Sequence, residues 1–262
     1  RIHCAYYQAY CPSGPKHPLN RCLELARPVL SCQCRMTPES VVVAACNRTC
    51  GKRLVSNRDF WIGDIILEEE PCISIIDAEA LRFAGQKCSR FVAAWMYAKR
   101  CLPAGALDDF LQRGLSEGAT GSGKASEIRD ALHIEVPGPE MPTAERFLVL
   151  LLSNAFRFGV DDGKGSTAVF ATIARANHSC EPNAKLDGDS DLARLVALRP
   201  IGSGDEIVLC YGGLATNFLS MPCACRRAYL SHNWGFDCFC ERCAREAAVE
   251  IDQKVNLASH ER

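Results

Sequence analysis

No apolar run in the chain approaches the roughly 18 residues that a membrane-spanning helix needs. A run such as 147–152 suits a buried helix instead, and no membrane partner is expected. Charge of one sign is not in excess either. With 30 basic and 31 acidic residues the net charge is −1, so no global basic field favours nucleic acid, and no direct nucleic-acid binding is expected. Internal repeats are absent. A phosphate-binding loop is also missing: Gly121-Ser-Gly-Lys124 lacks the full Gly-x4-Gly-Lys-Ser/Thr spacing and the preceding strand. The first residue is Arg rather than Met, which suggests a fragment or processed product and leaves an upstream targeting segment open. Apolar residues make up 48% and charged residues 23% of 262, the balance of one large globular domain or two small ones.

What is abundant is cysteine. Seventeen cysteines, an odd count at irregular spacing in a chain this long, do not suit a small disulfide scaffold. A reducing, intracellular compartment with at least one zinc site is the favoured expectation, nuclear or cytoplasmic. Seven of the cysteines (Cys4, Cys11, Cys22, Cys32, Cys34, Cys46 and Cys50) fall in a proline-interrupted leader, 1–50. Their spacing matches no zinc template, so a zinc-binding leader, an irregular one and a disulfide-linked one all remain open. A second group, Cys238-x-Cys240-x2-Cys243, has close metal-ligand spacing. It supplies three of the four ligands that tetrahedral zinc takes. Cys180 is the economical fourth, Cys223-x-Cys225 is a competing source, and a cluster of free thiols is the metal-free alternative.

Between these groups the pattern alternates. Residues 64–70 and 72–76 read as strands bounded by Gly63 and Pro71. Residues 77–115 read as helical, with Phe91, Trp95, Ala98 and Leu102 on one apolar stripe. Four glycines and three serines in 114–126 suggest a flexible linker or surface loop. Thr143 is a plausible N-cap for a helix over 144–155. Strands are expected at 168–173, 192–198 and 206–210, the last two joined by a turn at 200–204. Short strands therefore surround one helical insertion, and the polar stretch 175–183 lies between strands. Tyr211 ends a buried strand and is followed by two glycines; on composition alone it is a core tyrosine or a cleft residue.

Asn177-His-Ser-Cys-Glu-Pro-Asn183, followed by Tyr211-Gly212, resembles the signature of the SET domain, the S-adenosylmethionine-dependent protein-lysine methyltransferases. The tail Arg226-x3-Leu230-x3-Trp234-x-Phe236-x-Cys238-x-Cys240-x2-Cys243 resembles the post-SET segment of the SMYD-type branch. Upstream, 63–71 resembles the family's second strand and Asn154-Ala-Phe156 its element before the signature. The fold this implies is mainly β with an α insertion (α+β): small β-sheets, a knot-like C-terminal crossing and a zinc-binding post-SET tail. The boundaries that go with it are a leader at 1–50, a SET domain at 51–221 with its insertion at about 77–158, a post-SET segment at 222–243 and a tail at 244–262.

The resemblance implies roles as well. Tyr211 is the implied catalytic residue. Asn177, His178, Asn154, Phe156, Trp234, Phe236 and Gly51 are the implied contacts of the methyl donor. Cys180, Cys238, Cys240 and Cys243 are the implied ligands of a structural zinc ion, and the partner is a lysine of a histone or non-histone protein. A SET-fold binding module without activity is the alternative. Two departures motivate it: Arg53 stands where the family often keeps a second glycine after Gly51, and Arg175 precedes the signature where small residues are usual. Residues 72–142 hold only Cys72, Cys88 and Cys101, too few for a MYND-type finger.

Overall fold

The computed structural model describes residues 40–45, 51–77, 79–80, 89–113, 115, 118–136, 138–159, 165–213 and 217–249. Cys88 and the seven leader cysteines lie outside the described residues.

Two breakers frame the first long strand. Gly63, at φ 89°, completes a tight turn in which the Trp61 N–H donates to Asp64 Oδ2 at 2.8 Å. Strand β3 (Ile65–Glu69) then runs to Pro71, and β4 (Ile73–Ile76) follows. These join different sheets. β3 pairs with β9 (Ala193–Ala197), and β9 with β8 (Ala184–Gly188), all antiparallel, with a bulge between Ile65 and Leu67. β4 pairs with β6 (Ser166–Val169), and β6 with β5 (Ala155–Phe158), again antiparallel.

Two smaller pairings complete the sheets. β1 (Val41–Ala45) and β2 (Lys52–Ser56) form an antiparallel pair, so the boundary expected at 50/51 falls between two paired strands. β7 (Asn177–His178) lies parallel to β10 (Val208–Leu209), which brings two segments distant in sequence side by side. The expected strands at 168–173 and 206–210 are shorter than their apolar content suggested. After Phe170 the chain turns into a 3₁₀ segment, Ile173–Arg175.

The helices depart further from expectation. Instead of one helix over 77–115, α1 (Arg90–Cys101) and α2 (Ala106–Gln112) are separated by Pro103 and by Gly105 at φ 83°. Proline has no N–H to continue the ladder and holds Leu102 before it in extended backbone, which ends α1; Gly105, left-handed, is the N-cap of α2. Residues 114–126 are not a linker throughout: α3 spans Gly123–Glu135. Ser122 caps it by accepting from the Ala125 N–H at 3.1 Å, while Ala125, Ile128 and Leu132 are buried at helical spacing. Thr143 is not a cap either. α4 spans Met141–Asn154 with a proline in its first turn, which suits that position because the missing N–H has no intrahelical partner there.

Burial sorts into three clusters. α1–α4 pack around Trp95, Phe110 and Phe147, with the Phe147 ring centroid 5.7 Å from that of Trp95 and 5.6 Å from that of Phe110. The sheets bury Leu54, Phe60, Ile66 and Leu195. A third cluster gathers Cys180, Phe218, Cys223, Leu230, Cys238 and Cys243 beneath α5 (Cys223–Trp234). A further helix, α6, occupies 241–249. No helix among the described residues is long and apolar enough to cross a membrane.

Candidate active site and sulfur cluster

Helix α4 leads directly into β5, and this junction sets one wall of a large cavity. Asn154, the last residue of the helix, donates from Nδ2 to the Leu150 carbonyl at 2.7 Å and is buried. Phe156, two residues later, is registered opposite Ala168 and packs its ring 6.2 Å from that of Phe170. Tyr211 and Trp234 enclose the same cavity, their ring centroids 5.3 Å apart. Its volume is about 910 Å³, near the upper end of ligand-site sizes, and its walls are mostly apolar.

The Tyr211 hydroxyl donates to the Ala176 carbonyl at 3.0 Å. That bond fixes the ring and leaves the phenol oxygen its acceptor lone pairs. Burial, with a smaller contribution from the Glu206 carboxylate, pushes the hydroxyl above the usual tyrosine range, so it stays protonated.

The signature stretch is held from several sides. Glu69, only 1% exposed, accepts from the N–H groups of Thr172 (2.9 and 3.0 Å) and Ile173 (2.9 Å). Its carboxylate thus caps the turn that feeds β7. Asn183 accepts from the Val208 N–H and donates to the Glu206 carbonyl, both at 2.8 Å. Asn177 donates to Glu206 Oε1 at 2.7 Å and to the Lys52 carbonyl at 3.3 Å.

Asn177 and His178 are neighbours on one strand, so their side chains leave it on opposite sides. The His178 ring turns inward, among Tyr211, Phe218 and Phe236, at centroid distances of 5.3, 5.9 and 6.0 Å. Its Nδ1 accepts from the Tyr211 N–H at 3.1 Å, and Nε2 stands 3.3 Å from Cys180 Sγ. Burial lowers its pKa to about 4, which keeps the imidazole neutral. Of the expected donor contacts, Asn154, Phe156 and Trp234 share the cavity wall with Tyr211. The side chains of Asn177, His178 and Phe236 lie off that wall, and Gly51, at φ 75°, is exposed.

Neither unexpected arginine lines the cavity. Arg175 is buried and donates toward the Arg113 carbonyl at 3.4 Å; burial lowers its pKa, opposed by Cys72 and Glu69.

Behind the aromatic wall the sulfurs of Cys180, Cys238, Cys240 and Cys243 all lie within 4.8 Å of one another, with Cys243 and Cys180 at 3.6 Å. Four thiolates around one tetrahedral ion at ~2.3 Å sit ~3.8 Å apart, so this donor set fits such an ion. The Cys180 N–H points at Cys240 Sγ at 3.4 Å. Contacts with Cys238 and Cys240, then burial, push the Cys180 thiol up, and donation from Cys180 and Cys238 pulls Cys240 down. The alternative pair stays out of this set: Cys225 is exposed on α5, and Cys223 Sγ points at the Cys243 carbonyl.

Spacing alone did not single out Glu69, Asn183, Glu206 or Arg226 for a role. Asn183 and Arg226 stand inside the quoted motifs, which was the available signal. Glu69 also lies inside the 63–71 segment likened to the family's second strand, whereas Glu206 sits in an ordinary strand segment and carries no signal.

A family model described as SET domain matches residues 51–212, well over half of the chain. The chain belongs to the SET-domain family. Within this SET chain, 82 residues are 37% identical to human SMYD4, named a protein-lysine N-methyltransferase; that stretch is 31% of this chain and 10% of the relative. SET6 of Saccharomyces cerevisiae, named a potential protein lysine methyltransferase, is 36% identical over 78 residues, 30% of this chain and 20% of that one. SET5 of Candida glabrata, named a histone-lysine N-methyltransferase, is 33% identical over 116 residues, 44% of this chain and 21% of that one. The SET chain therefore spans between 10% and 21% of the length of these relatives. Among solved structures, the SET domain of LSMT bound to lysine and AdoHcy is similar at a TM-score of 0.49 and 15% identity, covering 78% of this chain and 54% of that one.

Proposed function

We propose that the chain is the SET unit of an S-adenosylmethionine-dependent protein-lysine N-methyltransferase. One observation carries this reading: the hydroxyl of Tyr211 is fixed at the wall of a deep apolar cavity shared with Asn154, Phe156 and Trp234. When bound, S-adenosylmethionine supplies a methyl group on an electrophilic sulfonium. Phe156 and Trp234 would hold that cation against their rings, which attract positive charge. Asn154 would contribute a polar group beside them. The cavity's apolar walls favour the neutral form of a substrate lysine, whose ordinary pKa is about 10.4. Tyr211 would accept a hydrogen bond from the lysine amine and align it. Alignment of this kind can account for roughly 7–11 kcal/mol of a barrier. The partner is then a histone or non-histone protein presenting a lysine.

Cys180, Cys238, Cys240 and Cys243 would hold a structural zinc ion, stapling the tail beneath Tyr211 and Trp234. The parallel pairing of β7 with β10 supports a knot-like crossing at the same place. Four available thiols suit a reducing compartment, nuclear or cytoplasmic. The reading is tested with labelled donor on purified histones and on whole-cell lysate. Wild type should label protein, and Tyr211→Phe should not; equal labelling by the variant would remove Tyr211 from the chemistry.

A further inference from the structure

Arg226 is buried completely on α5, with 0% of its side chain exposed. A guanidinium withdrawn from water is destabilising unless every donor is met and its charge is balanced. Its Nη1 donates to the Met221 carbonyl at 2.6 Å, and Nη2 to Glu246 Oε2 at 2.8 Å. The two remaining contacts are to sulfur: Nε to Cys180 at 3.3 Å and Nη2 to Cys243 at 3.4 Å. Neutral thiols are weak acceptors and offer no charge. Thiolates do both, and Cys180 and Cys243 are two of the four sulfurs in the cluster.

The charge count points the same way. Four thiolates around a divalent ion carry a net −2. Glu246 is already shared, since it also accepts from Arg242 Nε at 2.7 Å. Arg242 in turn donates to the carbonyls of Cys180 (3.4 Å) and Leu219 (2.8 Å). One carboxylate thus faces two guanidiniums, leaving one positive charge for the cluster. Arg226 is the cation aimed at the sulfurs themselves.

We infer that Arg226 is a positioning residue for the metal: it neutralises part of the cluster's charge, orients Cys180 and Cys243 by hydrogen bonding, and thereby sets the affinity for zinc. This rests on the zinc reading proposed above. Groups that orient metal ligands from behind typically change affinity 10–100-fold when replaced. A lysine keeps the charge but not the fork, so it cannot reach both sulfurs and the Met221 carbonyl together.

The test is zinc affinity by competition with a chromophoric chelator, on the whole chain as wild type, Arg226→Lys and Glu246→Gln, with folding followed by circular dichroism. Arg226→Lys should bind zinc at least ten-fold more weakly. Glu246→Gln, which leaves both sulfur contacts, should lose less than three-fold. In the cobalt-substituted protein the sulfur-to-cobalt absorption of Arg226→Lys should move to lower energy, because sulfurs that lose N–H donors become better electron donors. Zinc affinity within two-fold of wild type in Arg226→Lys overturns the inference while leaving the zinc reading intact. So does a loss in Glu246→Gln equal to that in Arg226→Lys, which would make Arg226 a partner of Glu246 alone. A wild-type chain that binds no zinc overturns both.

Discussion

The backbone N–H of Tyr211 donates to Nδ1 of His178, and the other nitrogen of that ring stands 3.3 Å from Cys180 Sγ. With Nδ1 accepting, the neutral ring carries its proton on Nε2, facing the sulfur. One imidazole therefore spans from the proposed zinc ligand to the backbone of the proposed catalytic residue. His178→Ala should leave the Tyr211 N–H buried without an acceptor, which costs about 1–3 kcal/mol. Urea denaturation should report that loss, and methyl transfer should fall with it.

Tyr211→Phe removes one oxygen and keeps the ring among His178, Trp234 and Phe236. Transfer should drop on the order of 100-fold or more, as when a fixed donor or acceptor is deleted from an active site. Donor affinity, measured separately, should change little.

The same hydroxyl gives a pH prediction. Its pKa is raised by burial and by Glu206, so the folded state favours the protonated form. That contribution to stability is complete below the unfolded tyrosine value of about 10 and is lost as pH rises above it. Wild type should therefore lose stability between about pH 10 and higher values by more than Tyr211→Phe does. Equal alkaline slopes in the two proteins would contradict the buried, protonated hydroxyl.

Gly212 tests the packing beneath Tyr211. A Cβ built there would lie 2.1 Å from Phe218 Cγ, and Phe218 is only 2% exposed. The ring has nowhere to retreat, so Gly212→Ala should cost about 1–3 kcal/mol by overpacking and should displace Tyr211. Phe218→Leu in the Gly212→Ala background should restore part of the loss; calorimetric melting of the single and double variants measures it.

Metal removal should act at a distance. Stripping the proposed zinc with a chelator, or replacing Cys240 with serine, should unfold the segment from α5 to α6 and abolish donor binding, because Trp234, on the cavity wall, packs against the same cluster. Hydrogen exchange localises the effect: fast exchange confined to that segment is the expected pattern.

The sheets were legible where breakers framed β-branched runs, as Gly63 and Pro71 frame β3. Helix α3 was not, because Gly123 and Ser122 read as linker composition until Ser122 is seen as a cap ahead of buried Ala125, Ile128 and Leu132. The break between α1 and α2 was written in Pro103 and Gly105 but hidden by the apolar stripe that runs up to Leu102. At the site, the resemblance to the SET family named Tyr211, and with it the four cysteines that the fold gathers. It could not say that Asn177 and His178 both lie off the cavity wall, since that depends on where the fold sets β7 beside β10. Arg226 stands in the tail pattern, yet only the placement of α5 over the sulfurs aims its guanidinium at them.

The most direct test of the whole account is isothermal titration of S-adenosylmethionine into the folded, zinc-loaded chain. Saturable binding at one site, lost in Trp234→Ala, is the predicted result. A folded chain that shows no binding at two temperatures, so that a chance zero of enthalpy is ruled out, would contradict it.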